Sequence, residues 1–135
     1  MDYLTDTTFL IDLWRERGKP GAALRFVERN GQAVVGLPWI AKGEFLRGAW
    51  LAGHVHDSVE AFLDSFLVVW PTEETLRHYA ELYMQLRKAN ALIGPADLWL
   101  AACALERKLP LLTRNTDEFS RVKELTVIDY SRPTG

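Results

Sequence analysis

Four acidic residues stand where a carboxylate could act on a ligand. They are Asp6 in Tyr3-Leu4-Thr5-Asp6-Thr7-Thr8-Phe9-Leu10, Glu44 in Lys42-Gly43-Glu44-Phe45-Leu46-Arg47-Gly48, Asp97 in Gly94-Pro95-Ala96-Asp97-Leu98-Trp99, and Asp117 in Thr113-Arg114-Asn115-Thr116-Asp117-Glu118-Phe119. Three of the four adjoin a predicted strand–helix junction, and in open α/β sheets ligands bind at the carboxyl ends of strands. Each also has a purely structural explanation. Asp6 is a natural cap for a helix starting near Thr7, and Glu44 can pair with Arg47 one turn on. Asp97 falls in the first turn after Pro95, where the helix dipole favours a carboxylate. Asp117 fits a turn.

Other chemistries lack their residues. There is no Gly-x-x-x-x-Gly-Lys-Ser/Thr phosphate loop, no Gly-x-Gly-x-x-Gly, no Gly-x-Ser-x-Gly and no His-Glu-x-x-His. His54 and His56 flank Val55 and do not share a helix face. The lone Cys103 has no thiol or imidazole neighbour in sequence to make a zinc site.

The elements that must hold these acids read as alternating strands and helices. Tyr3–Thr5 is a short strand ending at Asp6, followed by a helix carrying Leu10, Leu13 and Trp14 until Arg17-Gly18-Lys19-Pro20. Ala23, Phe26 and Val27 mark a second helix, closed near Asn30-Gly31. Ala33–Gly36 is the next expected strand, with Pro38 opening a helix to about Leu51. A helical stripe from Val55 to Phe66 leads to an expected buried strand, Leu67–Trp70, cut by Pro71. Thr72 with Glu73 and Glu74 predicts a helix start, and Gly94-Pro95 starts another with Leu98, Ala101, Ala102 and Leu105 inward. Leu109–Thr113 and Leu125–Ile128 complete the strands. The pattern predicts an α/β, three-layer fold with a mostly parallel sheet of about five strands.

Composition fits that reading. The chain of 135 residues is 48% hydrophobic and 25% charged, which suits a single globular domain over 1–135. The opening Met1-Asp2-Tyr3-Leu4-Thr5-Asp6 carries two acids and no basic n-region, so no export signal is expected. No apolar run approaches the ~20 residues of a membrane span. One cysteine forms no internal disulfide, and a cytoplasmic protein is the expectation. Sixteen basic against eighteen acidic residues give a net charge of −2. A polyanionic substrate would therefore need local patches or bound cations to draw it in.

In order and spacing, Asp6-Thr7-Thr8, Glu44-Phe45-Leu46-Arg47-Gly48, Asp97-Leu98-Trp99-Leu100-Ala101-Ala102 and Leu111-Leu112-Thr113-Arg114-Asn115-Thr116-Asp117-Glu118-Phe119 resemble the PIN domain across almost the whole chain. Within it, the resemblance is to VapC-type toxins of toxin–antitoxin pairs. That resemblance implies a Mg²⁺- or Mn²⁺-dependent endoribonuclease leaving a 5′-phosphate, a homodimer, and a cognate antitoxin as partner. It maps Asp6, Glu44 and Asp97 onto three acidic positions. Asn115 occupies the place where the family often has an aspartate, so Asp117 or Glu118 would supply the fourth charge. Thr8 replaces a common asparagine, and Thr113 would orient a water. Oxygen ligands without histidine or thiolate suit such hard cations, which reverse the repulsion between carboxylates and a phosphodiester.

Arg114, Arg47 and Lys42, close to these motifs, are candidate phosphate contacts. The five tryptophans could stack bases, although core packing explains them as well. Two rival readings remain. A phosphoacceptor signalling domain would need an acid beside Asp6 and an aspartate after Leu67-Val68-Val69-Trp70, and neither is present. A catalytically silent PIN-like binding module would show no cation-dependent RNA cleavage.

Overall fold

A computed structural model describes residues 1–132. Five strands form one sheet: β1 (Tyr3–Thr5), β2 (Val35–Pro38), β3 (Leu67–Val69), β4 (Leu111–Thr113) and β5 (Val127–Asp129). Their spatial order is β3-β2-β1-β4-β5, and every pair is parallel. The helices are α1 (Thr7–Arg15), α2 (Ala22–Arg29), α3 (Trp39–Leu51), α4 (His56–Leu63), α5 (Glu73–Lys88), α6 (Pro95–Arg107) and the single turn α7 (Thr116–Phe119). The chain builds outward from β1 to β2 and β3, then returns to the other side of β1 for β4 and β5. This reversal makes the β1–β4 boundary the switch point, where the connections leave a crevice at the strands' carboxyl ends.

Parallel strands need both faces covered, and the buried residues divide accordingly. Leu4, Leu10, Leu37, Phe45, Leu98 and Leu111 belong to the larger cluster. Phe9, Ala23, Phe26, Leu112 and Tyr130 belong to the other. Neighbours Leu111 and Leu112 enter different clusters because successive side chains of a strand point to opposite faces. Helix α6 is buried over most of its circumference, at Leu98, Leu100, Ala101, Ala102, Cys103 and Ala104, as expected of a helix apolar on nearly every side. That placement anchors Asp97 at its first turn.

Several boundaries differ from the sequence reading. β2 is Val35–Pro38, two residues later than expected, because Gly36, Leu37 and Pro38 pair with Leu67, Val68 and Val69. Pro38 ends the strand in an extended conformation (φ −60°, ψ 142°) and caps α3. Gly36 is required by contact: a Cβ there would lie 2.7 Å from Leu4 Cδ2 and 3.2 Å from Val69 Cγ2. β3 is an edge strand with Leu67 54% exposed, not a buried one. Thr72 caps α5 as expected, completing a box with Thr75, and the turn expected at Asp117 is the short helix α7. Among the described residues no helix is long and apolar enough to cross a membrane.

Candidate active site

Asp6 leaves β1 at the switch point and is both a helix cap and a member of the acidic group. Its backbone is extended (φ −93°, ψ −178°). Oδ1 accepts from Phe9 N (3.1 Å), which caps α1, and from Thr8 Oγ1 (2.7 Å). Oδ2 accepts from Thr113 Oγ1 at 2.5 Å, across the β1–β4 boundary. The side chain is 3% exposed. Burial raises its carboxyl above the ordinary value, and the bonds from Thr113, Thr8 and Phe9 pull it back in part.

Glu44 comes from the second turn of α3. Its Oε1 accepts from Thr7 Oγ1 (2.7 Å), so the first turn of α1 holds it. The ion pair with Arg47 is long, at 3.9 Å, with that arginine 73% exposed, and such a contact contributes little. Glu44 also borders an apolar groove lined by Ile11, Trp14, Phe45 and Ala49.

Asp97 lies in the first turn of α6. Its pKa is pushed up to about 8, first by burial, then by a hydrogen bond to Glu118 and by the negative charges of Glu118, Asp6 and Glu44. Segments far apart in sequence thus bring three further carboxyl groups, those of Asp6, Glu44 and Glu118, within electrostatic reach of Asp97. Asp117 is not among them: it is exposed, with only its carbonyl engaged, by Ser120 Oγ at 2.7 Å. The neighbouring Glu118 faces the site. Its Oε1 accepts from Gly94 N (2.7 Å) and its Oε2 from Asn115 Nδ2 (3.1 Å), and the Asp97 carboxyl first, then these bonds, lower its pKa. Sequence spacing named Glu118 only as an alternative, because no pattern distinguishes adjacent acids until α7 fixes their directions.

Thr113 is fully buried, gives its hydroxyl proton to Asp6 and accepts from Asn115 N (2.9 Å). Its hydroxyl therefore ties the Asp6 carboxylate to the end of β4. Arg114 is engaged elsewhere: its guanidinium grips Asp12 at 2.7 and 3.2 Å, and Tyr130 Oη donates to the same carboxylate at 2.5 Å. His54 meets the Trp14 ring edge-on and His56 stacks on Trp50. Trp99 stacks on Tyr79 at 3.7 Å and meets Trp39 edge-on.

The donor set is all oxygen, which suits a hard divalent cation. Its mutual repulsion is of the sign that a cation relieves. Among the described residues, no three His, Cys, Asp or Glu side chains as they stand form a closed metal-ligand group.

A parallel α/β/α sandwich with acids from β1, α3 and α6 around the switch point defines the class. The chain belongs to the PIN domain family, which residues 3–125 match. It is 33% identical over 130 residues to Ribonuclease VapC1 of Methanocaldococcus jannaschii, covering 96% of this chain and 87% of the relative. The structure of VapBC-1 from nontypeable Haemophilus influenzae superposes with a TM-score of 0.84 and 28% identity, over 98% of this chain and 100% of that one. A toxin–antitoxin complex from Klebsiella pneumoniae shares the fold, with a TM-score of 0.76 and 22% identity over 96% and 98% of the two chains.

Proposed function

We propose that this chain is a Mg²⁺- or Mn²⁺-dependent endoribonuclease that hydrolyses RNA phosphodiester bonds, and that it is the toxin of a toxin–antitoxin pair. The observation that carries the reading is Asp97, whose carboxyl is driven up to about 8 by burial and by Glu118, Asp6 and Glu44. A fold needs no such arrangement for stability, whereas perturbed carboxyls at a strand-end cleft are a mark of functional sites. The names of the similar proteins, Ribonuclease VapC1 and VapBC-1, support the same reading.

In this mechanism Asp6, Glu44 and Asp97 would hold the cation. When bound, it offsets the negative charge that would repel a phosphodiester and supplies Lewis acidity toward a phosphoryl oxygen. The chain's own groups do the positioning. Thr113, Thr8 and the Phe9 amide fix both oxygens of Asp6. Thr7 aims Glu44. Asp97 is carried by α6, which is buried at Leu98, Leu100, Ala101, Ala102, Cys103 and Ala104. The exposed Asp117 would stay outside the set. A homodimer and a cognate antitoxin belong to the same proposal.

The test is total RNA with Mg²⁺ or Mn²⁺, comparing the wild type with Asp97→Asn and mapping the ends. Cation-dependent cleavage leaving 5′-phosphates, abolished by the substitution, is the expected result. Intact RNA in every lane would leave a binding module instead.

A further inference from the structure

Resting on the nuclease reading, we propose that the surface beyond β4 and β5 is a phosphate track. Arg114, Arg132, Arg25 and Arg29 hold the backbone of a single-stranded RNA as it leaves the acids. The topology places the first two. All five strands are parallel, so Asp6, Arg114 and Arg132 follow strand ends on one side of the molecule. β4 and β5 come next to β1 in that order, and at about 4.8 Å per strand their ends lie roughly 5 and 10 Å from that of β1. The opposite flank of the sheet ends at β3, where Glu73 and Glu74 open α5 and repel a polyanion.

Tyr130 joins the two parts of the track. Its buried ring meets Phe9 edge-on at 4.8 Å, and its hydroxyl donates to Asp12 Oδ2 at 2.5 Å. The same carboxylate takes Arg114 Nε (2.7 Å) and Nη2 (3.2 Å). Asp12 thus engages two of the five N–H donors of the guanidinium and fixes its plane, while the arginine side chain stays 45% exposed. The rest of the fork matches a phosphate, with little ordering left to do on binding. Tyr130 also borders a cleft lined by Arg25, Arg29, Ser131 and Arg132. Arg25 and Arg29 stand one turn apart on α2, both exposed. Arg132 is 79% exposed, and its pair with Asp129 at 3.2 Å is of the weak surface kind. Among the described residues the cleft lining holds three arginines and no acid, in a chain of net charge −2.

Neutralised phosphates release counterions, so each contact with a single strand steepens the dependence of log affinity on log salt by about 0.7. The measurement is binding of a labelled single-stranded RNA by the full chain in chelator, from low to high salt. Arg114→Gln should flatten the slope by about 0.7, and the double variant Arg25→Gln with Arg29→Gln by about 1.4. Arg77→Gln with Arg87→Gln removes the same charge from exposed positions of α5, which packs on the other face of the sheet from α2. That control should leave the slope as it is. Single-stranded DNA of the same sequence should show the same losses, because phosphate alone is held.

Equal flattening by the two double variants would overturn the track and leave only the net charge of the chain. So would a wild type whose binding ignores salt, unchanged slopes in the track variants, or losses confined to RNA, which mark 2′-hydroxyl readout. If Arg114→Gln does not fold, the two double variants decide. The nuclease reading fails separately. RNA cleavage with unchanged slopes refutes the track alone, whereas flattened slopes without cleavage in Mg²⁺ or Mn²⁺ refute the nuclease and leave the track as a binding surface.

Discussion

Replacing Asp97 by asparagine in metal-free protein should leave the fold as stable as wild type at pH 4.5 and make it more stable at pH 8. The sign follows from the raised pKa. Below about 4 the carboxyl is protonated in both folded and unfolded chains and contributes no difference. Between about 4 and about 8 the unfolded chain has lost the proton while the folded one retains it. Stability therefore falls as pH rises through that window, and the loss is complete above it. Asparagine carries an N–H where the protonated acid carries its O–H, so the bond to Glu118 survives the change. The opposing effect is the dipole of α6, which favours a charge at its first turn by about 0.3–1 kcal/mol. Asp97 is only half-buried, and solvent screening reduces the penalty to on the order of 1–2 kcal/mol at pH 8. For a domain of this size that is a difference of several degrees in Tm. Melts of both proteins in chelator from pH 4.5 to 8.5 read it, because titrating groups remote from Asp97 cancel in the difference. A variant less stable than wild type across the whole range would refute the reasoning and leave Asp97 a helix-start residue.

Asp97 should also give up its proton when Mn²⁺ binds, so apparent affinity should rise between pH 6 and 8. Calorimetry in buffers of different ionisation enthalpy should show close to one proton released, and none in Asp97→Asn. Gly36→Ala should cost about 1–3 kcal/mol, seen as a lower denaturant midpoint, since its Cβ would crowd Leu4 and Val69. Thr75→Val should cost about 1–3 kcal/mol, because the buried hydroxyl accepts from Thr72 N (2.9 Å) and donates to Glu106 (2.5 Å). Thr75→Ser should recover most of that loss.

Much of this organisation is legible in the sequence because local rules and the global fold agree. Thr72 before two glutamates, and Pro95 after Gly94, announce α5 and α6 by capping chemistry alone. β2 escapes the same rules, since Gly36 and Pro38 are poor strand formers chosen by close packing and by the handover to α3. Asp6 shows a different limit: its cap bond to Phe9 and its bond from Thr113 coexist, so asking whether it caps or serves the site had no local answer. The acid after β4 is undecidable in sequence because Asp117 and Glu118 differ by only about 100° around one turn of α7. Arg114 looks free beside the site until Asp12, 102 residues earlier, claims it.

The all-parallel order β3-β2-β1-β4-β5 has a consequence during synthesis. Asp6 is translated long before its partner Thr113, 107 residues on, and before the Glu118 that meets Asp97. A growing chain shorter than this holds isolated acids and no assembled centre. If the centre does cut RNA, the ribosome making it is shielded until Thr113 and Glu118 have followed Asp6, Glu44 and Asp97 out, and latency is written into the strand order itself.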